Sequence, residues 1–128
     1  VDCLICIVPG DALTKHIVNE EVMNALGPHG TLINVARGMV VDEQALIKAL
    51  QEKRLGWAGL DVFENEPHIP VELREMNNVV LMPHAASFTV ECRTAIGEMA
   101  VGNILQYEKN GTVIAPVPEC KHLVAGVK

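Results

Sequence analysis

Four short apolar runs, separated by stretches of mixed polarity, constrain the fold of this chain more than any other feature. They are CLICIV (3–8), TLINV (31–35), WAGLDVF (57–63) and NVVLM (78–82). Runs of this length that are almost wholly apolar are typical of parallel strands, which are covered on both faces. The stretches between them are amphipathic, as are helices that join parallel strands. The sequence therefore predicts an α/β fold, a parallel sheet with helices on both faces.

Polar capping residues predict where three of the helices begin. Asn19 precedes EEVMNAL, Asp42 precedes EQALIKALQEKR, and Thr89 precedes a longer stretch that continues to about Tyr107. Each of these side chains has an oxygen that accepts a hydrogen bond from a free N–H of the first helical turn. We expect the apolar stripe of the third helix to pack in the protein core. Its members are Val90, Ile96, Met99, Ala100 and Leu105.

Composition and charge narrow the range of partners. The 128 residues have a formal net charge of −6 and no cluster of basic side chains, so we expect no nucleic-acid partner. No apolar run approaches the roughly 20 residues that span a bilayer, so we expect no membrane association and a cytoplasmic location. Cys3 and Cys6 would point to opposite faces of a strand, and Cys92 and Cys120 each stand alone. We therefore expect reduced thiols and no metal site.

Charged side chains follow the predicted strands, at the edge where parallel α/β sheets bind their ligands. The segments at this edge are PGDALT, ARG, DVFENEP and PHAAS. They bring Arg37 and His84 together with three carboxylates, Asp61, Glu64 and Glu66. A guanidinium holds a carboxylate by a planar two-point contact, and an imidazolium stabilised by a carboxylate can donate a proton. This set suits the reduction of a carbonyl beside a carboxylate by a hydride-donating cofactor. The residues alone leave open which acid serves His84.

Three motifs carry a family resemblance. LINVARGMVVDEQALIKALQ, GLDVFENEP and NVVLMPHAASFTVECR, in this order, closely resemble the D-isomer-specific 2-hydroxyacid dehydrogenases, above all their hydroxypyruvate, glyoxylate and hydroxyphenylpyruvate reductases. The resemblance covers about residues 3–117. It implies that Arg37 binds the substrate carboxylate and carbonyl, that Glu66 pairs with the catalytic histidine, and that His84 is the proton donor. The implied activity is the NAD(P)-dependent reduction of a small 2-oxo acid to the D-2-hydroxy acid.

The resemblance also implies which residues contact the cofactor, NAD or NADP. They are Val35, Ala36, Asp61 and Ala86. Among them, Asp61 is expected to contact the nicotinamide amide. Many relatives have glycine where this chain has Ala85 and Ala86. Glu64 is then expected to be a solvated surface charge. The other histidines are expected to have no role in the chemistry: His16, His29, His68 and His122.

One family motif does not occur in this sequence. No G-x-G-x-x-G turn, which would hold the cofactor pyrophosphate at a helix N-terminus, precedes a helix, and the family's substrate domain is not represented. We therefore expect residues 1–112 to be the C-terminal half of a dinucleotide-binding domain and residues 113–128 to be an irregular extension. The implied fold is a partial doubly wound, Rossmann-like sheet from a larger two-domain protein, which the family resemblance implies is a homodimer.

Two alternatives to an enzyme remain open. The chain also resembles non-catalytic, dinucleotide-binding relatives that act as transcriptional corepressors and can keep Arg37, Glu66 and His84. It is also consistent with an inactive truncated product. Turnover of glyoxylate or hydroxypyruvate by the intact parent distinguishes an enzyme from both.

Overall fold

A parallel sheet organises the first part of the structure, a computed structural model that describes residues 1–119. The regular elements are β1 (Cys3–Cys6), α1 (Glu20–Leu26), β2 (Thr31–Asn34), a 3₁₀ helix (Gly38–Val40), α2 (Glu43–Gln51), β3 (Trp57–Leu60), α3 (Val71–Glu75), β4 (Val79–Leu81) and α4 (Val90–Asn110). The strands pair in the parallel order β1-β2-β3-β4. The predicted parallel α/β sheet is therefore confirmed. Each strand is shorter than its apolar run, whose last residues belong to the following loop.

The strands end together at one edge of the sheet. Cys6 pairs with Asn34, Asn34 with Leu60, and Leu60 with Leu81. The segments that follow β1, β2, β3 and β4 therefore start side by side. This register places the predicted site residues at a common edge, as parallel α/β sheets require of a ligand site.

The helices α1, α2 and α4 begin where the capping residues predict. The side chains of Asn19, Asp42 and Thr89 each accept a hydrogen bond from the backbone N–H three residues ahead, at 3.0 to 3.2 Å. Each bond satisfies a donor that would otherwise have no partner within the helix. The starts of these helices therefore follow from local side-chain chemistry.

The end of α2 differs from its prediction. The helix ends at Gln51, whereas EQALIKALQEKR suggested a helix as far as Arg54. Lys53 has the left-handed φ of 56°. The N–H of Lys53 bonds to the carbonyl of Leu50 at 3.2 Å, and the N–H of Arg54 bonds to the carbonyl of Ala49 at 2.8 Å. This pair of bonds is the Schellman pattern, which closes a helix even where the left-handed residue is not glycine.

The buried core lies against one face of the sheet. A single cluster of buried residues includes Leu32, Ala58 and Leu60 from the strands and Met23, Leu46 and Leu50 from the helices. The alternate strand residues are less covered, and Ile5, Trp57 and Val80 are more than half exposed. Among the described residues, one face of the sheet is therefore covered as predicted, whereas the other face is partly exposed.

Contacts divide the chain into two units, which are adjacent in sequence at Ala86 and Ser87. In the second unit, α4 runs from Val90 to Asn110, and Gly111 ends it in the left-handed conformation with φ 72°. The N–H of Gly111 bonds to the carbonyl of Tyr107 at 2.8 Å. The predicted position of this helix is confirmed to within a few residues.

The predicted core packing of α4 is wrong for the structure described. None of the helix residues is buried. All five members of its apolar stripe are exposed, Val90, Ile96, Met99, Ala100 and Leu105. An apolar stripe shows which side of a helix needs a partner, but it does not show whether the same chain supplies that partner.

Two short elements, α3 and the 3₁₀ helix, were not predicted because each is too short to show helical periodicity.

Within residues 1–119 no helix is long and apolar enough to cross a membrane, and no three potential metal ligands are grouped together. The predicted irregular extension is described only as far as residue 119. Cys120 and His122 lie outside the described residues.

Candidate active site

The turn that presents Arg37 is held by Asn34, the last residue of β2. Asn34 is almost completely buried. Its Oδ1 accepts the N–H of Ala36 at 3.1 Å, and its Nδ2 donates to the carbonyl of Arg37 at 3.0 Å. Both ends of the amide are therefore used to fix the turn. Asn34 was not among the predicted site residues, although a polar residue at the end of an apolar strand was the signal for it.

The Arg37 side chain is exposed and lies over Gly10. A Cβ at Gly10 would lie 2.6 Å from Cγ of Arg37, so only glycine leaves room for the arginine stem. One guanidinium nitrogen, Nη1, donates to the carbonyl of Ala36 at 2.6 Å. Arg37 forms no ion pair with a carboxylate of the described residues, so most of its donors remain for a ligand.

The segment ARGM (36–39), called here the Arg37 segment, lies close to the segment DVFENEP (61–67), called the acidic segment. The closest approach is at Gly38. A Cβ on Gly38 would lie 2.0 Å from the carbonyl oxygen of Phe63, a distance that no side chain tolerates. Glycine is therefore required where the segment after β2 meets the segment after β3. The sequence motif contains this glycine, but only the structure shows the reason for it.

Glu66 and His84 form the predicted pair. The Nδ1 of His84 lies 2.8 Å from Oε2 of Glu66, so the Nδ1–H donates to the carboxylate and Nε2 is left free of it. The other oxygen, Oε1, accepts the N–H of Phe63 at 3.0 Å. The hydrogen bond with His84, more than any other cause, holds the pKa of the Glu66 carboxyl below its ordinary value. Glu66 is therefore an ionised partner for an imidazolium at neutral pH.

The backbone after His84 is held by Asp61. His84 has the left-handed φ of 54°, and the next two N–H groups point at one carboxylate. The N–H of Ala85 donates to Oδ1 of Asp61 at 2.7 Å, and the N–H of Ala86 donates to Oδ2 at 2.9 Å. Asp61 is buried, so these bonds orient the imidazole through its own backbone. The structure thus gives Asp61 a structural task, and its nicotinamide contact stays a prediction.

A cavity of about 370 Å³ brings the three predicted catalytic side chains together. Arg37, Glu66 and His84 all line it, beside the backbone of Gly10 and Gly38. A neighbouring cleft of about 510 Å³ shares Gly10 and Arg37 with this cavity. A cation and an imidazole–carboxylate pair therefore face one space, and Arg37 also lines a second.

The second cleft contains two of the residues that were predicted to contact the cofactor. Its lining combines apolar side chains with backbone at the ends of β1 and β2, and it includes the predicted cofactor residues Val35 and Ala36. Val35 is 40% exposed. The predicted contact Ala86 lies beside this edge through its bond to Asp61. The cofactor roles of these residues remain predictions.

Glu64 is not the solvated surface charge that the sequence suggested. Its Oε1 lies 2.5 Å from Nε2 of His16, and its side chain is 24% exposed. His16, for which no role was predicted, therefore has a specific carboxylate partner. The two residues are 48 positions apart in sequence, so no local pattern pointed to the contact.

Comparison with known proteins gives an independent indication of family. Residues 1–86 match the family model described as "D-isomer specific 2-hydroxyacid dehydrogenase, NAD binding domain". The chain is 52% identical over 116 residues to glyoxylate/hydroxypyruvate reductase A from Arabidopsis thaliana, covering 91% of this chain and 37% of that protein. It is 48% identical, with the same coverage, to hydroxyphenylpyruvate reductase from Plectranthus scutellarioides.

Solved structures agree with these relatives. An NADPH-dependent glyoxylate/hydroxypyruvate reductase from Sinorhizobium meliloti, crystallised with NADP and malonate, has a TM-score of 0.88 and 50% sequence identity to this chain. The match covers 93% of this chain and 37% of that one. The sequence therefore spans little more than a third of the length of the proteins that it resembles.

Proposed function

Since this chain belongs to the D-isomer specific 2-hydroxyacid dehydrogenase family, we propose that it forms the catalytic side of the cofactor domain in an NAD(P)-dependent reductase. The reaction is reduction of a small 2-oxo acid, of the glyoxylate, hydroxypyruvate or hydroxyphenylpyruvate type, to the D-2-hydroxy acid. These substrates are suggested by the relatives with which the chain shares about half of its aligned residues.

The observation that carries the proposal is the cavity shared by Arg37, Glu66 and His84. A 2-oxo acid has a planar carboxylate next to a carbonyl. The guanidinium suits the carboxylate, because its fork of N–H donors matches two oxygens in one plane. The imidazole beside it can then reach the carbonyl oxygen of the same small molecule. A lone arginine or a lone histidine would not support this conclusion.

Each residue has a defined task in the reaction. Arg37 holds the carboxylate and orients the carbonyl. His84 donates a proton from Nε2 to the carbonyl oxygen as negative charge develops there. Glu66 accepts the hydrogen bond from Nδ1 and stabilises the imidazolium before the transfer. When bound, NADH or NADPH supplies the hydride.

The cofactor would lie along the cleft next to Arg37, with its nicotinamide end near Val35 and Ala36. Asp61 is the proposed partner of the nicotinamide amide, because each of its oxygens keeps a free lone pair after binding Ala85 and Ala86. In this arrangement Asp61 would connect the cofactor to the backbone that carries His84.

We further propose that residues 1–112 act as the C-terminal half of the dinucleotide-binding domain, in a cytoplasmic homodimer without nucleic-acid or membrane partners. Family resemblance supports the dimer, and the net charge of −6 argues against binding to nucleic acid. Light scattering of the full-length protein tests the dimer directly.

The test of the activity is oxidation of NADH and NADPH by the full-length protein with glyoxylate, hydroxypyruvate and hydroxyphenylpyruvate. We expect saturable, 2-oxo acid-dependent oxidation of at least one cofactor. A protein that binds NADH or NADPH, but turns over none of the three acids, would instead match the corepressor-like relatives.

Residues 1–128 expressed alone should not catalyse this reaction. The sequence has no glycine-rich turn to hold the cofactor pyrophosphate, and orientation of bound reactants contributes on the order of 7–11 kcal/mol to such reactions. β1 is also an edge strand, which favours association of the isolated chain. Saturable turnover by a monodisperse product of this length would contradict the proposed placement of the cofactor site.

A further inference from the structure

A second imidazole–carboxylate contact lies beside the proposed catalytic pair. The Nε2 of His16 lies 2.5 Å from Oε1 of Glu64. The other ring nitrogen of His16, Nδ1, lies 3.9 Å from Oδ2 of Asp42. The His16 and Glu64 side chains are about one third and one quarter exposed. The contact is therefore more protected from solvent than the pair of Glu66 and His84, whose side chains are 35% and 48% exposed.

Both residues of this contact are also fixed through their backbones. The N–H of His16 donates to the carbonyl of Met39, in the 3₁₀ helix that follows Arg37, at 2.8 Å. The N–H of Glu64 donates to Oε2 of Glu43, in the first turn of α2, at 3.2 Å. His16 therefore contacts the Arg37 segment by its backbone and the acidic segment by its side chain.

Glu64 also affects the position of Glu66, because both belong to the acidic segment. Glu66 accepts a hydrogen bond from the N–H of Phe63, the residue immediately before Glu64. The carbonyl of Phe63 in turn lies against Gly38. A shift of Glu64 would therefore move both the hydrogen-bond partner of Glu66 and the surface against which the Arg37 segment packs.

We propose that His16 and Glu64 are positioning residues, which fix the Arg37 segment and the acidic segment relative to each other. This inference rests on the proposed function, because it assigns the pair a task in that reaction. Neither residue touches the reacting atoms in this role. Their contribution is the distance between the group that holds the substrate and the pair that protonates it.

The proposal predicts a specific pattern in a double-mutant cycle. In the full-length protein, His16→Ala and Glu64→Ala should each lower kcat by about tenfold, because small displacements of reacting groups have effects of this order or larger. The double variant should lose little more than either single variant, since each one already removes the same contact. Rates are expressed per cofactor-binding site, so that a misfolded fraction does not count as a slow enzyme.

A conservative variant and a control separate positioning from general destabilisation. His16→Gln should recover part of the lost kcat, because the amide N–H of glutamine can still donate to Glu64. The KM for NADH or NADPH should stay within about twofold of the wild-type value in every variant, because neither residue lines the cleft proposed for the cofactor. His29→Ala, at an exposed turn before β2, is the matched control and should change kcat by less than about twofold.

Two results would overturn the proposal. One is unchanged kcat in His16→Ala, and the other is additive loss in the double variant. If the alanine variants do not fold, His16→Leu and Glu64→Met, which remove the hydrogen bond but keep the side-chain bulk, provide the same cycle.

Hydrogen exchange provides a readout that does not depend on turnover. The peptide containing residues 61–68 should exchange faster in His16→Ala than in the wild type, because one side of its restraint is gone. Unchanged exchange overturns the positioning role even in a protein that reduces no 2-oxo acid. A wild-type protein without activity, by contrast, contradicts the proposed function before any variant is made.

Discussion

Two imidazole–carboxylate pairs share the segment GLDVFENEP, and they differ in their surroundings. Glu66 and His84 are partly exposed and line a cavity with Arg37. Glu64 and His16 are better covered, although Glu64 also lines that cavity, and the backbone N–H of each is bound to another segment. The same two chemical groups therefore suit different tasks. In our proposals, the histidine with a free ring nitrogen beside a cation takes part in the chemistry, whereas the histidine held between two segments fixes the geometry.

The largest difference between the pairs should come from removal of their histidines. His84→Ala should lower turnover of the full-length protein by about 10²–10⁴-fold, the usual contribution of a positioned proton donor. The comparable loss for His16 is expected to be only about tenfold. Steady-state kinetics from pH 6 to 8 measures both losses, with His68→Ala, an exposed histidine on the loop that carries Glu66, as the control. Near-normal turnover of His84→Ala would remove His84 from the chemistry.

The cation next to the exposed pair should be the second most sensitive position. Arg37→Lys should lower kcat/KM for every 2-oxo acid by roughly 10–100-fold, because an ammonium cannot reproduce the guanidinium fork and a charged hydrogen bond contributes about 1.5–3 kcal/mol. The measurement compares a 2-oxo acid with a matching ketone that lacks the carboxylate. Equal efficiency with both compounds in the wild type would exclude a carboxylate clamp.

Neutralising Glu66 should change the pH dependence of reduction. The hydrogen bond from His84 lowers the pKa of Glu66, so its carboxylate is charged at neutral pH and stabilises the imidazolium. Glu66→Gln removes this stabilisation, and reduction requires the protonated ring. The fall in kcat at high pH should therefore begin at a lower pH than in the wild type. Glu64→Gln should leave the fall in kcat at the same pH as in the wild type. An identical shift in both variants would contradict the proposal that the two pairs have different roles.

The smallest expected effect concerns Glu43, which supports the covered pair. Burial is the main cause that raises the pKa of Glu43 above its ordinary value of 4.5. The folded protein therefore binds a proton more tightly than the unfolded chain, and stability is lost as pH rises through the folded pKa. Glu43→Gln keeps an oxygen for the N–H of Glu64, so it should raise the melting temperature at pH 7 by about 1–2 °C. Thermal unfolding should show no such gain below about pH 4.5.

The convergence of Arg37 and His84 could be predicted because the parallel sheet brings distant segments to one edge, whereas the choice of Glu66 over Glu64 came from the family resemblance. Arg37 and His84 each follow the end of a strand, so their convergence required only the strand order and direction. The helix starts at Asn19 and Asp42 were predictable for a different reason, since a capping side chain bonds within one turn. Both kinds of prediction depend on local sequence plus a simple topology.

The supporting residues were not predictable in this way. The contact of His16 with Glu64 joins residues 48 positions apart, and no periodic pattern relates them. The need for glycine at Gly38 depends on the position of the Phe63 carbonyl, which only the folded chain defines. Likewise, α4 has an apolar stripe that is exposed in the structure, because periodicity does not specify the partner. Such features depend on three-dimensional placement rather than on residue type.

The packing of Arg37 on Gly10 has a consequence for conformational entropy. A free arginine side chain loses about 2 kcal/mol of rotamer entropy when it is fixed in one conformation. Here the stem already lies over Gly10, and Nη1 already donates to the carbonyl of Ala36. Much of that loss is therefore incurred on folding, before any ligand arrives. If the proposed function is correct, a 2-oxo acid would meet a guanidinium that is already held in place, and more of the interaction energy would remain as affinity.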